Sequence, residues 1–208
     1  MTYEKLDIMK DGFVVLKDRP ALVPEHEFMD MEYMDWKSGG DTNFAPIASA
    51  FGDLECAGFW DHGKPDKDGM WTVNAKVCPS LVEHAEKIGA NYGRVRVIKL
   101  NPQSYEGALK QLHLDDNNRL NPEGTGWVVR TWLELTDNPG AAMILRYDKD
   151  DPDSEIQIPL HAGMQYVLDT ERMWHVAMNP TDKPRYALIT SVESGPALDA
   201  WITSELPA

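Results

Sequence analysis

The stretch MWHVAMNPTDKPRYALITSV, residues 173–192, contains two short apolar runs, residues 173–178 and 185–192, on either side of a polar segment. Each run has the length and composition of a β-strand. Six further runs of this kind precede them, with turn sequences such as TDNPG and KDDPDS between some of them: residues 94–100, 108–114, 127–135, 142–147, 155–160 and 164–169. Short, regularly spaced strands of this kind predict an antiparallel barrel or sandwich within a mainly β (α+β) fold.

The part of the chain before these strands is predicted to support them. DGFVVLKD (11–18) reads as a buried strand, and CPSLVEHAEKIGANYG (78–93) as an amphipathic helix with Ser80 as N-cap and Gly89 or Gly93 near its end. Gly39 and Gly40 indicate a loop, as does the polar run 61–69. We expect one domain: an N-terminal support and lid of helices and strands (1–91), a β core (92–193) and a C-terminal segment (194–208). The lid would include Trp60, Trp71 and the Met-rich stretch 29–34.

Charge and cysteine content limit the function classes. The 208 residues carry a net charge of −14 at pH 7, which disfavours binding to nucleic acid or to an anionic membrane. Cys56 and Cys78 lie in separate contexts and suggest neither a disulfide framework nor a zinc site. The sequence begins MTYEKLDIMKDG, without an apolar signal region, so a cytoplasmic protein is expected.

A candidate pair of metal ligands lies in QLHLDD (111–116). On a strand, alternate side chains share a face, so His113 and Asp115 would project together. The His-x-acid pattern is common in so acidic a chain, and His84 and Glu86 match it as well. That second pair lies in the predicted helix, where residues two apart point in nearly opposite directions, which predicts a solvated or capping role.

Two histidines and an arginine lie downstream. His175 falls within an apolar run, where a histidine is costly to bury without a partner, so it is either a third metal ligand or a core residue bonded to a carbonyl. His161 precedes Gly163 in a predicted turn and is expected at the surface. Ten positions after His175, Arg185 enters an apolar strand, where its guanidinium could pair with a surface acid or hold a ligand carboxylate.

His113-x-Asp115, His175 and Arg185 occur in the order found in the Fe(II)- and 2-oxoglutarate-dependent oxygenases, and residues 94–192 resemble that family. The resemblance implies a double-stranded β-helix (jelly-roll or cupin-like) core with flanking N-terminal helices. It also implies that His113, Asp115 and His175 ligate Fe(II), and that Arg185 binds the distal carboxylate of 2-oxoglutarate. RTWLEL (130–135) is faintly similar to the strand after HxD in aspartyl/asparaginyl β-hydroxylase-like and proline hydroxylase-like members.

The chain departs from the family pattern at Ala187, where many members place a serine that shares the distal carboxylate. Another hydroxyl would have to replace it, and Tyr166, Tyr147 and Thr131 are the alternatives. The resemblance implies that O2 and 2-oxoglutarate are consumed, with release of succinate and CO2. Because related halogenases lack the carboxylate ligand, Asp115 favours hydroxylation over halogenation.

Several large or charged residues on the core strands could bind the substrate. Trp127, Trp132 and Trp174 lie close to the proposed ligands in sequence, although such aromatics are commonly plain core. Inward-pointing Arg130 or Arg146 would select an anionic or zwitterionic small molecule such as an amino acid. Two other functions remain open: a cupin-type metalloenzyme that does not use 2-oxoglutarate, and a metal-free ligand-binding or structural barrel.

Overall fold

Two antiparallel sheets form the core of the computed structural model, which describes residues 8–36, 41–121 and 126–207. The large sheet contains eight strands: β1 (Phe13–Val15), β2 (Met34–Asp35), β3 (Thr42–Ser49), β4 (Met70–Trp71), β5 (Tyr92–Leu100), β6 (Val128–Glu134), β9 (Gln165–Leu168) and β11 (Arg185–Glu193). The small sheet contains three strands: β7 (Ala142–Arg146), β8 (Ile156–Pro159) and β10 (Trp174–Met178). The four α-helices are α1 (His26–Met29), α2 (Pro79–Lys87), α3 (Tyr105–Leu109) and α4 (Pro196–Glu205).

Strand β11 lies at the centre of the large sheet, whose order is β1-β9-β6-β11-β5-β3-β2, with β4 paired to β3. It pairs with β5 on one side and β6 on the other, so that Ile189 is opposite both Arg96 and Trp132. Alternate residues of these strands point between the two sheets and pack with Met143 and Leu145 of β7. The intervening residues face the other way, where Leu188 packs with the helix α2 in a second cluster.

All but one of the eight strands predicted from the sequence are present, as β5 to β11. The prediction for residues 108–114 is wrong. Ser104 accepts a hydrogen bond from the Gly107 amide (3.1 Å) and caps α3, which ends at Leu109. Ala108 and Leu112 are buried while Lys110 between them is exposed, whereas a strand would place all three on one face.

The N-terminal region contributes more to the large sheet than its sequence indicates. The strand predicted over 11–18 is present as the three residues of β1, whereas the eight-residue β3 was not predicted. Pro46 interrupts the β propensity of that segment, and the pairing with β5 shifts register between Pro46 and Ala48. The predicted loop at Gly39 and Gly40 lies outside the described residues.

Helix α2 starts earlier than predicted. Its N-cap is Cys78, and Ser80 lies inside the first turn, where its amide and hydroxyl both donate to the Glu27 carboxylate (2.8 and 2.7 Å). Gly89 follows the helix with φ of 73°, a conformation that glycine adopts without strain.

The solvated or capping role predicted for His84 is wrong. His84 is buried against Trp201 of α4 at a ring-centroid distance of 6.4 Å, while Glu86 is exposed. Burial lowers the pKa of His84 to about 4, with nearby Arg19 contributing in the same direction. The C-terminal helix α4 thus packs on α2, with Leu198 and Ile202 fully buried.

Cys56 and Cys78 are both free cysteines, the first half-buried and the second buried. Among the described helices, none is both long enough and apolar enough to cross a membrane.

Candidate metal centre and cavity

His113 is held beside His175 by their backbones. It follows α3 in an irregular segment and forms an isolated antiparallel bridge with His175, each amide donating to the other carbonyl (3.3 and 2.9 Å). Two residues on, the Asp115 amide donates to the Thr170 carbonyl (2.8 Å). These main-chain bonds fix the HxD pair against the small sheet, although the segment is not a strand.

The side chains of His113, Asp115 and His175 converge. One donor atom from each lies within 4.8 Å of the others, and the two imidazole centroids are 4.4 Å apart. The Nδ1 atoms lie 2.9 and 3.1 Å from the carbonyl oxygens of Gln111 and Met173. Because a carbonyl only accepts, each Nδ1 carries its proton, and the Nε2 lone pairs remain for a metal. The geometry that the sequence predicted for these three residues is present.

The protonation states also suit metal binding. His175 is buried, and burial lowers its pKa to about 4, so the imidazole is neutral at pH 7. Burial alone would raise the pKa of Asp115, but Arg130 and the two histidines outweigh it and hold that pKa well below its usual range. A neutral imidazole and an ionised carboxylate are the forms that bind a cation.

Arg130 supports the carboxylate ligand. It is 1% exposed, and its Nε donates to Asp115 Oδ2 (3.2 Å). Nη2 donates to Asn117 (2.6 Å) and Nη1 to Ser191, with Asp66 3.5 Å away. All three guanidinium nitrogens are therefore engaged within the protein, and Asp115 Oδ1 is left to face His113 at 3.7 Å. This arrangement does not support the substrate-binding role predicted for Arg130.

A cavity of about 920 Å³ opens beside the three candidate ligands. Trp132, which the sequence suggested as a substrate contact, lines it. The mouth and walls combine aromatic and polar side chains, among them Trp36, Phe44, Trp60, Asp61, Gln103, Gln111 and three arginines, Arg94, Arg96 and Arg130. A concave, largely apolar cavity with a few polar groups is the usual form of a small-molecule site.

Arg185 lies deeper than the cavity lining. It is fully buried, and its Nη2 donates to Glu134 Oε1, which also accepts from the Tyr166 hydroxyl (3.1 Å). Glu134 is paired with Ala187 in the sheet. This pair lies two residues along the strands from the Trp132–Ile189 pair, which lines the cavity, on the side away from Arg130. The guanidinium therefore has a carboxylate partner from the protein itself.

The other residues suggested for the site are distributed around the barrel. Thr131 alternates with Arg130 and Trp132 and so faces the opposite side of β6. Tyr147 is exposed and donates to the Asp11 carbonyl. Three further residues do not line the described cavity. Arg146 pairs with Glu155 (2.7 Å), Trp174 packs near Lys149, and Trp127 donates to Asp169 (3.1 Å).

His161 is exposed as predicted, and pairs with Asp18 at 2.9 Å. Among the site residues that were missed are two arginines of β5, Arg94 and Arg96. Their signal is present in RVRVIKL, where Arg94 and Arg96 alternate in phase with Ile98 and Leu100 of the barrel interior. An inward-facing arginine can be recognised from that phase once the strand is assigned.

The sequence matches no protein-family model and no curated protein. Its fold is similar to that of an oxidoreductase of the 2OG-Fe(II) oxygenase family from Burkholderia pseudomallei, with a TM-score of 0.57 and 11% identity over 89% of this chain and 86% of that one. It is also similar to SnoK, a non-heme alpha-ketoglutarate-dependent carbocyclase from nogalamycin biosynthesis, with a TM-score of 0.53 and 15% identity over 88% and 79% of the two chains.

These likenesses concern the fold. They confirm the predicted double-stranded β-helix, which is the fold of the 2-oxoglutarate- and Fe(II)-dependent oxygenases. The His-Asp-His cluster lies within it.

Proposed function

We propose that this protein is an Fe(II)- and 2-oxoglutarate-dependent dioxygenase that hydroxylates an unactivated C–H bond of a small molecule. The observation that carries the proposal is the convergence of His113, Asp115 and His175 at a large cavity. Two imidazoles and one carboxylate are the donor set of non-haem Fe(II) oxygenases, because they leave adjacent coordination positions open for other ligands.

The residues present fit both cofactors. Each imidazole has an Nε2 free of protein hydrogen bonds, and Asp115 has one carboxylate oxygen held by Arg130 and another facing His113. A dicarboxylate needs cationic donors near the metal, and the cavity wall contains buried guanidinium N–H groups without protein partners. When bound, Fe(II) and 2-oxoglutarate supply the activation of O2 that oxidises the substrate, with release of succinate and CO2.

The protein's own residues orient the reactants and exclude water. Arg130 keeps Asp115 ionised and fixes its direction, and the backbone bridge fixes the separation of the two histidines. Trp132 and Ile189 close the inner end of the cavity with apolar surface. Trp60 and Asp61 also line the cavity, and with Gln103 and Gln111 they give a small polar molecule both hydrogen-bond partners and an aromatic contact. The presence of Asp115 in the ligand set favours hydroxylation over halogenation.

The test is whether the chelate forms. Anaerobic addition of Fe(II) and 2-oxoglutarate should give the weak visible charge-transfer band of iron-bound 2-oxoglutarate, and His175→Ala should abolish it because one of three ligands is lost. His161→Ala is the matched control, since that histidine is exposed and pairs with Asp18 away from the cavity. Absence of the band from the wild-type protein would refute the proposal and favour a cupin-type enzyme or a metal-free barrel.

If the charge-transfer band forms, the next experiment is a screen for substrates. Succinate release would be measured with free amino acids, nucleosides and peptides, each against a reaction lacking the candidate compound. A compound that accelerates succinate release and gains one oxygen atom by mass is a hydroxylation substrate. Acceleration without oxygen incorporation would contradict hydroxylation while leaving the cofactor assignment intact.

A further inference from the structure

Three arginines line the cavity, and two of them are neutralised within the protein. Arg94 donates to Asp66 from both its amide and its Nε (2.8 Å each), and Arg130 pairs with Asp115 and Asp66. Arg96 differs from both. In the described part of the chain it has no carboxylate within 4.0 Å, and its Nε and Nη1 are inaccessible to solvent and lack hydrogen-bond partners.

The surroundings of Arg96 hold its guanidinium inside the cavity. The group lies 4.1 Å from the ring centroid of Phe44 and 5.5 Å from that of Trp36, and both rings line the same cavity. Burial, with Arg94 and Arg130 nearby, lowers the pKa of Arg96 to about 9, which still leaves it cationic at neutral pH. Arg96 is half-buried, but Nε and Nη1 donors that are shielded from water and unpaired are costly unless an anion completes them.

Arg185 is less suited to an incoming anion. Its Nε and Nη1 also lack hydrogen-bond partners, but unlike Arg96 it pairs with a carboxylate, Glu134, and does not line the cavity, because Trp132 and Ile189 lie between that pair and the cavity. A ligand carboxylate at Arg185 would have to compete with Glu134, whose Oε1 already accepts from the Arg185 Nη2. The fully buried Tyr166, whose hydroxyl donates to Glu134, is already engaged as well.

We propose that Arg96, and not Arg185, binds the distal carboxylate of 2-oxoglutarate in this protein. The assignment rests on the proposed function. Arg96 is opposite Ile189 in the sheet, one layer deeper than the Ser191–Arg130 pair that supports Asp115. A five-carbon dicarboxylate bound to the metal by its 2-oxo acid end can therefore direct its other carboxylate towards Arg96, with Phe44 and Trp36 shielding that ion pair from water.

Binding of 2-oxoglutarate to the anaerobic Fe(II)-loaded protein tests the assignment by calorimetry, without turnover. Arg96→Gln should raise the Kd about 10- to 100-fold, the range expected for loss of a charge-assisted hydrogen bond. The comparison variant is the double substitution Arg185→Gln with Glu134→Gln, which removes both charges of the buried pair together. It should bind 2-oxoglutarate as the wild type does.

A second probe separates loss of the anchor from general damage. 2-Oxobutanoate has the same 2-oxo acid group without the distal carboxylate, so it should bind Arg96→Gln and the wild type equally well. The assignment would be overturned if Arg96→Gln bound 2-oxoglutarate with the same Kd as the wild type. It would also be overturned if only the double variant lost affinity for 2-oxoglutarate. Failure of 2-oxoglutarate to bind the wild type at all would instead refute the proposed function.

Discussion

Replacement of Arg130 tests how far the metal site depends on residues that do not themselves bind the metal. Arg130→Met keeps much of the side-chain volume but removes the donors to Asp115 (3.2 Å) and Asn117 (2.6 Å). Removing one partner of a buried ion pair costs about 3–5 kcal/mol. Asp66 keeps its 2.8 Å pair with Arg94, so we expect the lower end of that range, about 3 kcal/mol of unfolding free energy.

The effect on the metal is separate from the effect on stability. Without Arg130, Asp115 loses the bond that orients its carboxylate, and the loss of such a supporting residue typically weakens metal affinity about 10- to 100-fold. The assay is competition between the protein and a fluorescent chelator for Mn(II), an air-stable substitute for Fe(II). Unfolding in urea gives the stability of the same samples.

Arg94→Met is the matched control for this experiment. Arg94 also pairs with Asp66 and donates to Asn117 (3.0 Å), but no hydrogen bond joins it to Asp115. It should therefore lose stability to a similar extent and keep a Mn(II) affinity close to that of the wild type. If Arg130→Met does not fold, Arg130→Lys keeps the charge and loses the multidentate contacts, so a smaller loss of affinity is expected. Equal Mn(II) affinity in the wild type and in the Arg130 variants would refute the reasoning.

Two further predictions concern the scaffold. Because the pKa of His84 is about 4 in the folded protein and near 6.5 when unfolded, the unfolded state takes up the proton first as the pH falls. The wild type should lose about 3 kcal/mol between pH 6.5 and 4 relative to His84→Phe, as measured by urea unfolding at each pH, and parallel pH profiles would contradict this. Gly93→Ala would place a Cβ 2.2 Å from the Asp66 carbonyl oxygen and should cost more than about 2 kcal/mol. Gly107→Ala in α3, with its nearest neighbour 3.5 Å away, should be neutral or gain up to about 1 kcal/mol in thermal or urea unfolding, and equal effects at both positions would count against the steric argument.

The β core could be predicted from the sequence because its strands carry their own signal. Runs such as residues 127–135 and 185–192 are long, apolar and bounded by polar residues, so local composition alone assigns them. The segment around 108–114 could not be assigned in this way. Its leucines fit a strand and a helical turn equally well, and the Ser104 cap, which favours the helix, lies outside the window that was read as a strand.

The convergence of His113, Asp115 and His175 could be predicted because the chemistry of histidine and aspartate as metal donors is distinctive. The environment of the arginines could not, since it depends on partners distant in sequence. Glu134 pairs with Arg185, which is 51 positions away in the sequence, and Asp66 pairs with Arg130 from a loop in the N-terminal half of the chain. Whether an arginine is paired or free follows from sheet register, which the sequence does not define.

The main-chain bridge between His113 and His175 separates two properties of the site. The bridge fixes the positions of the two Cα atoms and so of the attached side chains. It uses only the backbone N–H, which every residue except proline has, and the backbone C=O, which every residue has. The identity of the donor atoms is then chosen by the side chains alone. A thiolate or a carboxylate could therefore replace the imidazole at position 113 while the backbone path stays the same, which would change the donor atoms that the candidate site offers to a metal.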